Sequence, residues 1–188
     1  MNRTRPARAR FLTEVAITSL CYILASLVTF KIVAPIQDLF FPQFPSRASL
    51  LFLPHGVRVL AAWLLGWRAV PALAPGVFIV FAFLVGPTAL EPSRLAAMAI
   101  AVTSAPLVFW VMSRLGWDAS PRPDRMPCLA CVMTAGVVSS IMIALLTNLV
   151  LGTGLEDFVA YFIGDFFGLL FLMMILMFVF RMMRRRGI

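Results

Sequence analysis

The chain has 188 residues, of which 62% are hydrophobic, and its mean hydropathy is +0.97. Soluble domains are only about half apolar, so this composition excludes a soluble protein and indicates an integral membrane protein. The formal net charge is +8, but the arginines lie at the ends of apolar segments and not on a polar face, which argues against nucleic-acid binding.

Six apolar segments are long enough to cross about 30 Å of hydrocarbon. A basic stretch, 1–11, precedes the first of them, and that segment is too long to be a removable signal peptide. The sequence therefore predicts an all-α integral membrane protein, a bundle of six transmembrane helices over 12–181 with a basic tail at 182–188. The predicted spans are 12–35, 49–66, 69–86, 93–115, 126–152 and 157–181.

The placement of arginine predicts the orientation, because positively charged residues collect in the cytoplasmic loops of membrane proteins. If the six spans alternate, the two sides of the membrane carry very different numbers of arginines. One side carries Arg3, Arg5, Arg8, Arg10, Arg68, Arg114, Arg122, Arg125, Arg184, Arg185 and Arg186. The other side has only Arg47 and Arg94. We therefore expect both termini to be cytoplasmic.

The second span begins with residues that do not suit lipid contact, namely Pro54, His55, Gly56 and Arg58. Arg58 lies nine residues into the predicted span, about 13 Å deep at 1.5 Å per residue. Asp165 of the sixth span lies about 12 Å deep by the same arithmetic. Two opposite charges are therefore expected at similar depth in the outer leaflet, with the histidine one helical turn above the arginine.

A charge near the bilayer centre costs about 3 kcal/mol and nearly always faces the protein interior. Arg58 and Asp165 could form a structural ion pair, or they could line an outward-facing pocket. Lys31 approaches the same outer layer from the first span and Asn148 from the fifth, which favours the pocket. The predicted ligand-binding residues are His55, Arg58, Asp165, Lys31 and Asn148.

Small residues and a proline near these charges are interpreted as packing features. Pro54 removes a backbone donor, and Gly56 permits the close approach of another backbone. Gly164 and Gly168 form a Gly-x-x-x-Gly pattern, which is typical of closely packed membrane helices. If the second span begins afresh after the proline, its N-terminal dipole and the buried arginine together favour an anionic ligand.

The remaining motifs do not indicate an enzyme or a cofactor. Cys128 and Cys131 form a C-x-x-C at the start of the fifth span, but no second pair completes a metal site, so reduced structural thiols are expected. The single histidine excludes a bis-histidine haem and argues against a zinc or copper centre, leaving a chlorophyll-type magnesium or a five-coordinate haem as a minor alternative. No P-loop, Gly-x-Ser-x-Gly or His-Glu-x-x-His motif is present. We therefore predict no catalytic residue, metal or cofactor.

Two segments resemble a known family. FLPHGVRVLAAWLLGWRAVPALAPG is similar to the Pro-x-Gly helix, the Gly-x-Arg turn and the following Pro and Gly of the bacterial membrane-associated sensor domain of the first type, the MASE family. YFIGDFFGLLFLMMIL resembles the Gly-Asp-x-x-Gly last helix of the same domain. The matching positions are Pro54, Gly56, Gly66, Arg68, Pro71, Gly164, Asp165 and Gly168. The resemblance implies an inner-membrane module that senses a signal for histidine kinases or diguanylate cyclases.

The chain departs from the family pattern in three ways. Members usually have more spans than the six counted here, His55 and Arg58 stand where small or apolar residues are usual, and no cytoplasmic output domain follows Ile188. We therefore expect a shortened, stand-alone sensor in the bacterial inner membrane. It would bind a small, anionic ligand in its outward-facing pocket and signal through a separate partner.

Two other functions fit the same features. A substrate-capture subunit of a vitamin-type importer resembles this chain in size, in six spans and in an outward site. Such subunits recruit their partner through an Ala-x-x-x-Ala face on the first helix, whereas here that pattern falls on the fourth span at Ala97, Ala101 and Ala105.

An accessory scaffold subunit of a respiratory or photosynthetic complex would use the Phe- and Met-rich surfaces as interfaces. The expected partners are thus the lipid bilayer and a signalling partner, a second copy or a larger membrane complex.

Overall fold

The computed structural model of the protein describes residues 7–40, 49–121, 128–152 and 155–185. Every regular element in these ranges is helical, which confirms the predicted all-α membrane class. The α-helices are α1 (Ala7–Val28), α2 (Ala34–Phe40), α3 (Leu53–Leu65), α4 (Ala69–Val85), α5 (Pro92–Arg114), α6 (Leu129–Leu151) and α7 (Leu155–Arg185). Of the arginines that predicted the orientation, those outside the described ranges are Arg3, Arg5, Arg47, Arg122, Arg125 and Arg186.

The first helical stretch extends further than the predicted span 12–35. A π-helical stretch, Thr29–Val33, joins α1 to α2, so that Arg8–Phe40 forms one helix. A proline inside an α-helix lacks an N–H and its ring collides with the carbonyl one turn back. The wider π turn lies just before Pro35 and relieves this conflict, which is why the helix continues past the proline.

Contacts along α1 give the directions of α3 and α4, which a 3-10 turn, Gly66–Arg68, connects. Near the start of α1, Glu14 pairs with Arg68 of that turn, with 2.7 Å between Oε2 and Nη2. Further along, the Ser19 hydroxyl donates to the Ala72 carbonyl of α4 at 2.8 Å. The π-helical stretch at the far end meets the start of α3. α3 therefore runs antiparallel to α1, and α4 runs parallel to it.

Five helical stretches within the described ranges are long and apolar enough to cross a membrane. They are Arg8–Phe40, Leu53–Leu90, Pro92–Arg114, Leu129–Leu151 and Phe158–Phe178. The second of them contains two predicted spans, because the tight turn between α3 and α4 is itself helical. The protein is therefore a multi-pass helical membrane protein.

α3 lies at the centre of the bundle and contacts α1, α4, α5, α6 and α7. The most deeply buried apolar side chains surround it in one continuous core, which includes Val59, Leu73, Val77, Val132 and Leu169. Large apolar side chains remain exposed on the outer faces of the other helices, as expected where lipid replaces water. The central position of α3 places its polar residues inside the protein.

The structure corrects the prediction of reduced thiols at the start of the fifth span. Cys128 and Cys131 are joined by a disulfide, with 5.2 Å between their Cα atoms. Residues three apart lie on the same side of a helical turn, so the first turn of α6 brings the two sulfurs together. Cys21 is a free thiol.

Gly76 sets the close approach of α4 to α1. A Cβ atom there would lie 2.9 Å from the Cα and the carbonyl oxygen of Ser19. We expect Gly76→Val to destabilise the protein by about 1–3 kcal/mol, because overpacked cores must shift their backbone. The measurement is the melting temperature in mild detergent. Ala74→Val, on the exposed side of the same helix, is the control and should change stability by less than about 0.5 kcal/mol. Equal losses in both variants would refute the close packing.

Candidate functional site

The segment that precedes α3, residues 49–52, is not helical, although it lies among apolar helices. Backbone polar groups away from water need partners from the protein. The Phe52 N–H donates to the Gly164 carbonyl of α7 at 2.8 Å, and the Leu53 N–H donates to the Thr29 hydroxyl at 3.2 Å. α1 and α7 thus hold the start of α3 through its backbone.

Glycines let α7 approach this segment closely. A Cβ on Gly164 would collide with the Ser49 carbonyl oxygen, and a Cβ on Gly168 would collide with that of Phe52. Gly56 of α3 faces α7 in the same way, because a Cβ there would lie 2.8 Å from the Leu172 side chain. The Gly-x-x-x-Gly face therefore packs directly against the start of α3, bringing Asp165 with it.

Three of the predicted site residues meet at this contact. Asp165 Oδ2 lies 3.3 Å from His55 Nδ1, and Asp165 Oδ1 lies 3.8 Å from Arg58 Nη2. Asp165 is 5% exposed, His55 is 0% exposed and Arg58 is 4% exposed. Together His55, Arg58 and Asp165 form the ionic cluster. The two opposite charges placed by depth along the sequence thus face each other inside the bundle.

The imidazole of His55 lies between two acceptors. Its Nε2–H donates to the Gly136 carbonyl of α6 at 3.2 Å, and the Ser139 hydroxyl donates to the same oxygen at 3.0 Å. Its Nδ1 faces the Asp165 carboxylate without a well-aligned hydrogen bond. The histidine therefore connects α6 to α7 through α3.

The guanidinium of Arg58 is held less tightly than a buried arginine usually is. Its carbon lies 5.5 Å from the centre of the Phe52 ring, which provides a cation–π contact. The distance of 3.8 Å to Asp165 exceeds the roughly 2.8 Å of a strong charge-assisted hydrogen bond. Its Nε is buried and has no hydrogen-bond partner among the described residues. The guanidinium therefore retains donor capacity for a further acceptor.

The structure does not bring Lys31 or Asn148 to the ionic cluster. Lys31 lies in the π-helical stretch and is exposed. Asn148 is half-buried, twelve residues after Gly136 on α6, which places it about 18 Å further along the helix. Lys31 is therefore on the outside of the bundle, and Asn148 lies well beyond the cluster along α6.

Two clefts lie away from the cluster, and neither includes one of its residues. One, of about 480 Å³, is bordered by Trp117, Asp118 and the disulfide at the start of α6. The other, of about 380 Å³, lies between the ends of α3 and α5 and is lined by Trp63, Trp67 and Trp110. Within the described ranges, no group of three His, Cys, Asp or Glu side chains is arranged to hold a metal ion.

Several residues around the cluster were not predicted from the sequence. Tyr22 of α1 is buried and lies within electrostatic range of Arg58 and Asp165. A tyrosine in the middle of an apolar span was the signal that could have found it, because its hydroxyl needs a polar neighbour. The carbonyl of Gly136 could not have been found, because a backbone acceptor has no signature in the sequence.

Apolar helices around a buried ionic cluster define a multi-pass membrane protein that holds ionisable residues in its interior. The profile of the MASE1 family matches residues 24–187, nearly the whole chain. The chain therefore belongs to the MASE1 family of membrane-associated sensor domains, which confirms the resemblance seen in the two segments. No curated protein and no solved structure matches the chain.

Removing the carboxylate of Asp165 should expose the cost of burying Arg58. We expect Asp165→Asn to lower stability by about 3–5 kcal/mol, because it leaves an uncompensated charge in the interior. Melting temperatures in detergent measure the loss. Glu91→Gln, which breaks the exposed pair with Arg94, is the matched control and should cost less than about 1 kcal/mol.

The double variant Arg58→Met with Asp165→Leu removes both charges from the cluster. It should recover most of the stability lost in Asp165→Asn, because apolar side chains can replace a buried ion pair at little cost. If Asp165→Asn melts like the wild type, the carboxylate does not stabilise the arginine.

Proposed function

We propose that the protein is a sensor that crosses the bacterial inner membrane six times and binds a small anionic ligand at the ionic cluster. Its family consists of membrane sensor domains, which supports a sensor and favours it over an importer subunit or a scaffold. One observation carries the ligand proposal: Arg58 is buried with an unpartnered Nε and stands 3.8 Å from its only described carboxylate. Buried ionisable groups in membrane proteins mark functional sites by default.

Six crossings are supported by the order of contacts along α1. Because α3 and α4 run in opposite directions beside that helix, each is proposed to cross separately. α3 has 13 residues and is about 20 Å long, so the non-helical segment 49–52 completes its crossing. An even number of crossings places both termini on the arginine-rich, cytoplasmic side.

The charges around the start of α3 support an anionic ligand. α3 begins at Leu53, and the positive end of its dipole adds positive potential there. His55 and Arg58 lie in its first two turns, and Asp165 of α7 is the carboxylate they face. In the proposed mechanism, an acidic group of the ligand replaces this carboxylate beside the guanidinium.

α7 is proposed to carry the signal to a separate partner. It is one continuous helix of 31 residues, about 46 Å long and longer than the hydrocarbon core. Asp165 lies ten residues after its first residue, in the half proposed to be outer, and Arg185 is its last residue. Release of the carboxylate would let the helix shift against α3, and a rigid helix transmits that shift to its cytoplasmic end.

Ligand binding can be measured as a rise in melting temperature in the presence of small carboxylates and inorganic phosphate. We expect at least one of these anions to stabilise the wild type, because a ligand that binds only the folded state raises stability. Arg58→Met should abolish the rise, whereas Arg94→Met, which removes a more exposed arginine, should preserve it. A rise that persists in Arg58→Met contradicts the proposed site.

The six-span topology predicts where an impermeant maleimide reacts in intact cells. With Cys21, Cys128 and Cys131 replaced by serine, we expect Thr88→Cys to react from outside and Trp67→Cys to react only after lysis. In a five-span arrangement Trp67 would lie within lipid, so it would stay unlabelled in both conditions. That second result would refute the separate crossing of α3 and α4.

A further inference from the structure

The disulfide at the start of α6 lies outside the ionic cluster and is accessible. Cys128 is exposed and occupies the N-cap position, and the Cys131 N–H donates to its Sγ at 3.2 Å. The cleft of about 480 Å³ is lined by both cysteines and by Trp117 and Asp118. A thiol can therefore approach this bond in the folded protein.

We propose that the Cys128–Cys131 pair is a thiol–disulfide exchange centre that takes electrons from a small-molecule thiol or from a protein dithiol. The donor thiolate attacks Sγ of Cys128, which breaks the S–S bond and releases Cys131 as a thiolate. A second donor thiol then attacks the donor sulfur of the mixed disulfide and releases Cys128. The pair gains two electrons and two protons, and two donor thiols become one disulfide.

The start of a helix suits this chemistry. The positive end of the α6 dipole and the Cys131 N–H both stabilise negative charge on Cys128 Sγ. A stabilised thiolate is a better leaving group in the second step. By contrast, a bond between residues three apart closes a very short loop and gains little from restricting the unfolded chain. The pair is therefore better suited to exchange than to structural support.

The six-span topology of the proposed function puts this pair on the cytoplasmic side of the membrane. The inference about its cellular compartment rests on that proposed topology. Disulfides in the cytosol are usually transient and serve catalysis or redox sensing. Cys131 precedes Gly136 by five residues, about 7.5 Å along α6. Gly136 in turn accepts from His55 of the ionic cluster. The disulfide is thus close enough to the ionic cluster for its reduction to influence the cluster.

Thiol counting on the purified, folded full-length protein tests the exchange. The protein is incubated with reduced or oxidised glutathione, quenched with acid, denatured, alkylated with maleimide and weighed by intact mass spectrometry. We expect one maleimide, on Cys21, in the oxidised protein and three in the reduced protein, with reversal in both directions. The Cys21→Ser variant should carry no maleimide in the oxidised protein and two in the reduced protein.

Single variants identify the attacked sulfur. We expect Cys131→Ser to trap glutathione on Cys128 at least tenfold faster than Cys128→Ser traps it on Cys131. A pair that is reduced only after unfolding, or that stays reduced in excess oxidised glutathione, overturns the proposal. So does equal trapping by the two variants. These readouts involve neither the anion site nor membrane sidedness, so their failure is distinguishable from failure of the proposed function.

Discussion

A charge inside a membrane must face protein, and this constraint organises the molecule around Arg58. The guanidinium can be buried only if a helix surrounded by other helices carries it, and α3 is that helix. It also requires a counter-charge from a neighbour, which Asp165 of α7 provides. α7 comes close enough to provide it because glycines stand on either side of that aspartate. The central helix, the small-residue face and the ion pair are therefore one arrangement.

A second constraint follows from where α3 begins. Its first residues lie beside a non-helical segment, whose backbone groups would be costly to leave unpaired among apolar helices. The hydroxyl of Thr29 and the carbonyl of Gly164 satisfy two of the donors there. Thr29 opens the π-helical stretch of the first helix, and π turns occur frequently at functional sites. The π-helical stretch of the first helix and the non-helical segment before α3 are thus in contact at the edge of the ionic cluster.

The approach of Arg58 to Asp165 could be predicted from the sequence, whereas the positions of Lys31 and Asn148 relative to them could not. A fixed rise per residue predicts similar depths for Arg58 and Asp165, and the structure brings their side chains to within 3.8 Å of each other. Lys31 and Asn148 were assigned to the same site from depth alone, but Lys31 is exposed and Asn148 lies twelve residues beyond the Gly136 contact on α6. The redox state of Cys128 and Cys131 was likewise not determined by their spacing.

The looseness of the ion pair bears directly on the proposed signalling. Separating a tight, bidentate pair in the interior would leave two uncompensated charges, at a cost of several kcal/mol. Here the carboxylate stands 3.8 Å from the guanidinium, so less attraction is lost when it moves. An anionic ligand that takes its place keeps the guanidinium compensated. A ligand shifts the equilibrium between two conformations only by the difference in its affinity for them. Here the two conformations are those with the Asp165 carboxylate beside Arg58 and with it released. Because this carboxylate is held loosely, a smaller difference in affinity is enough to release it.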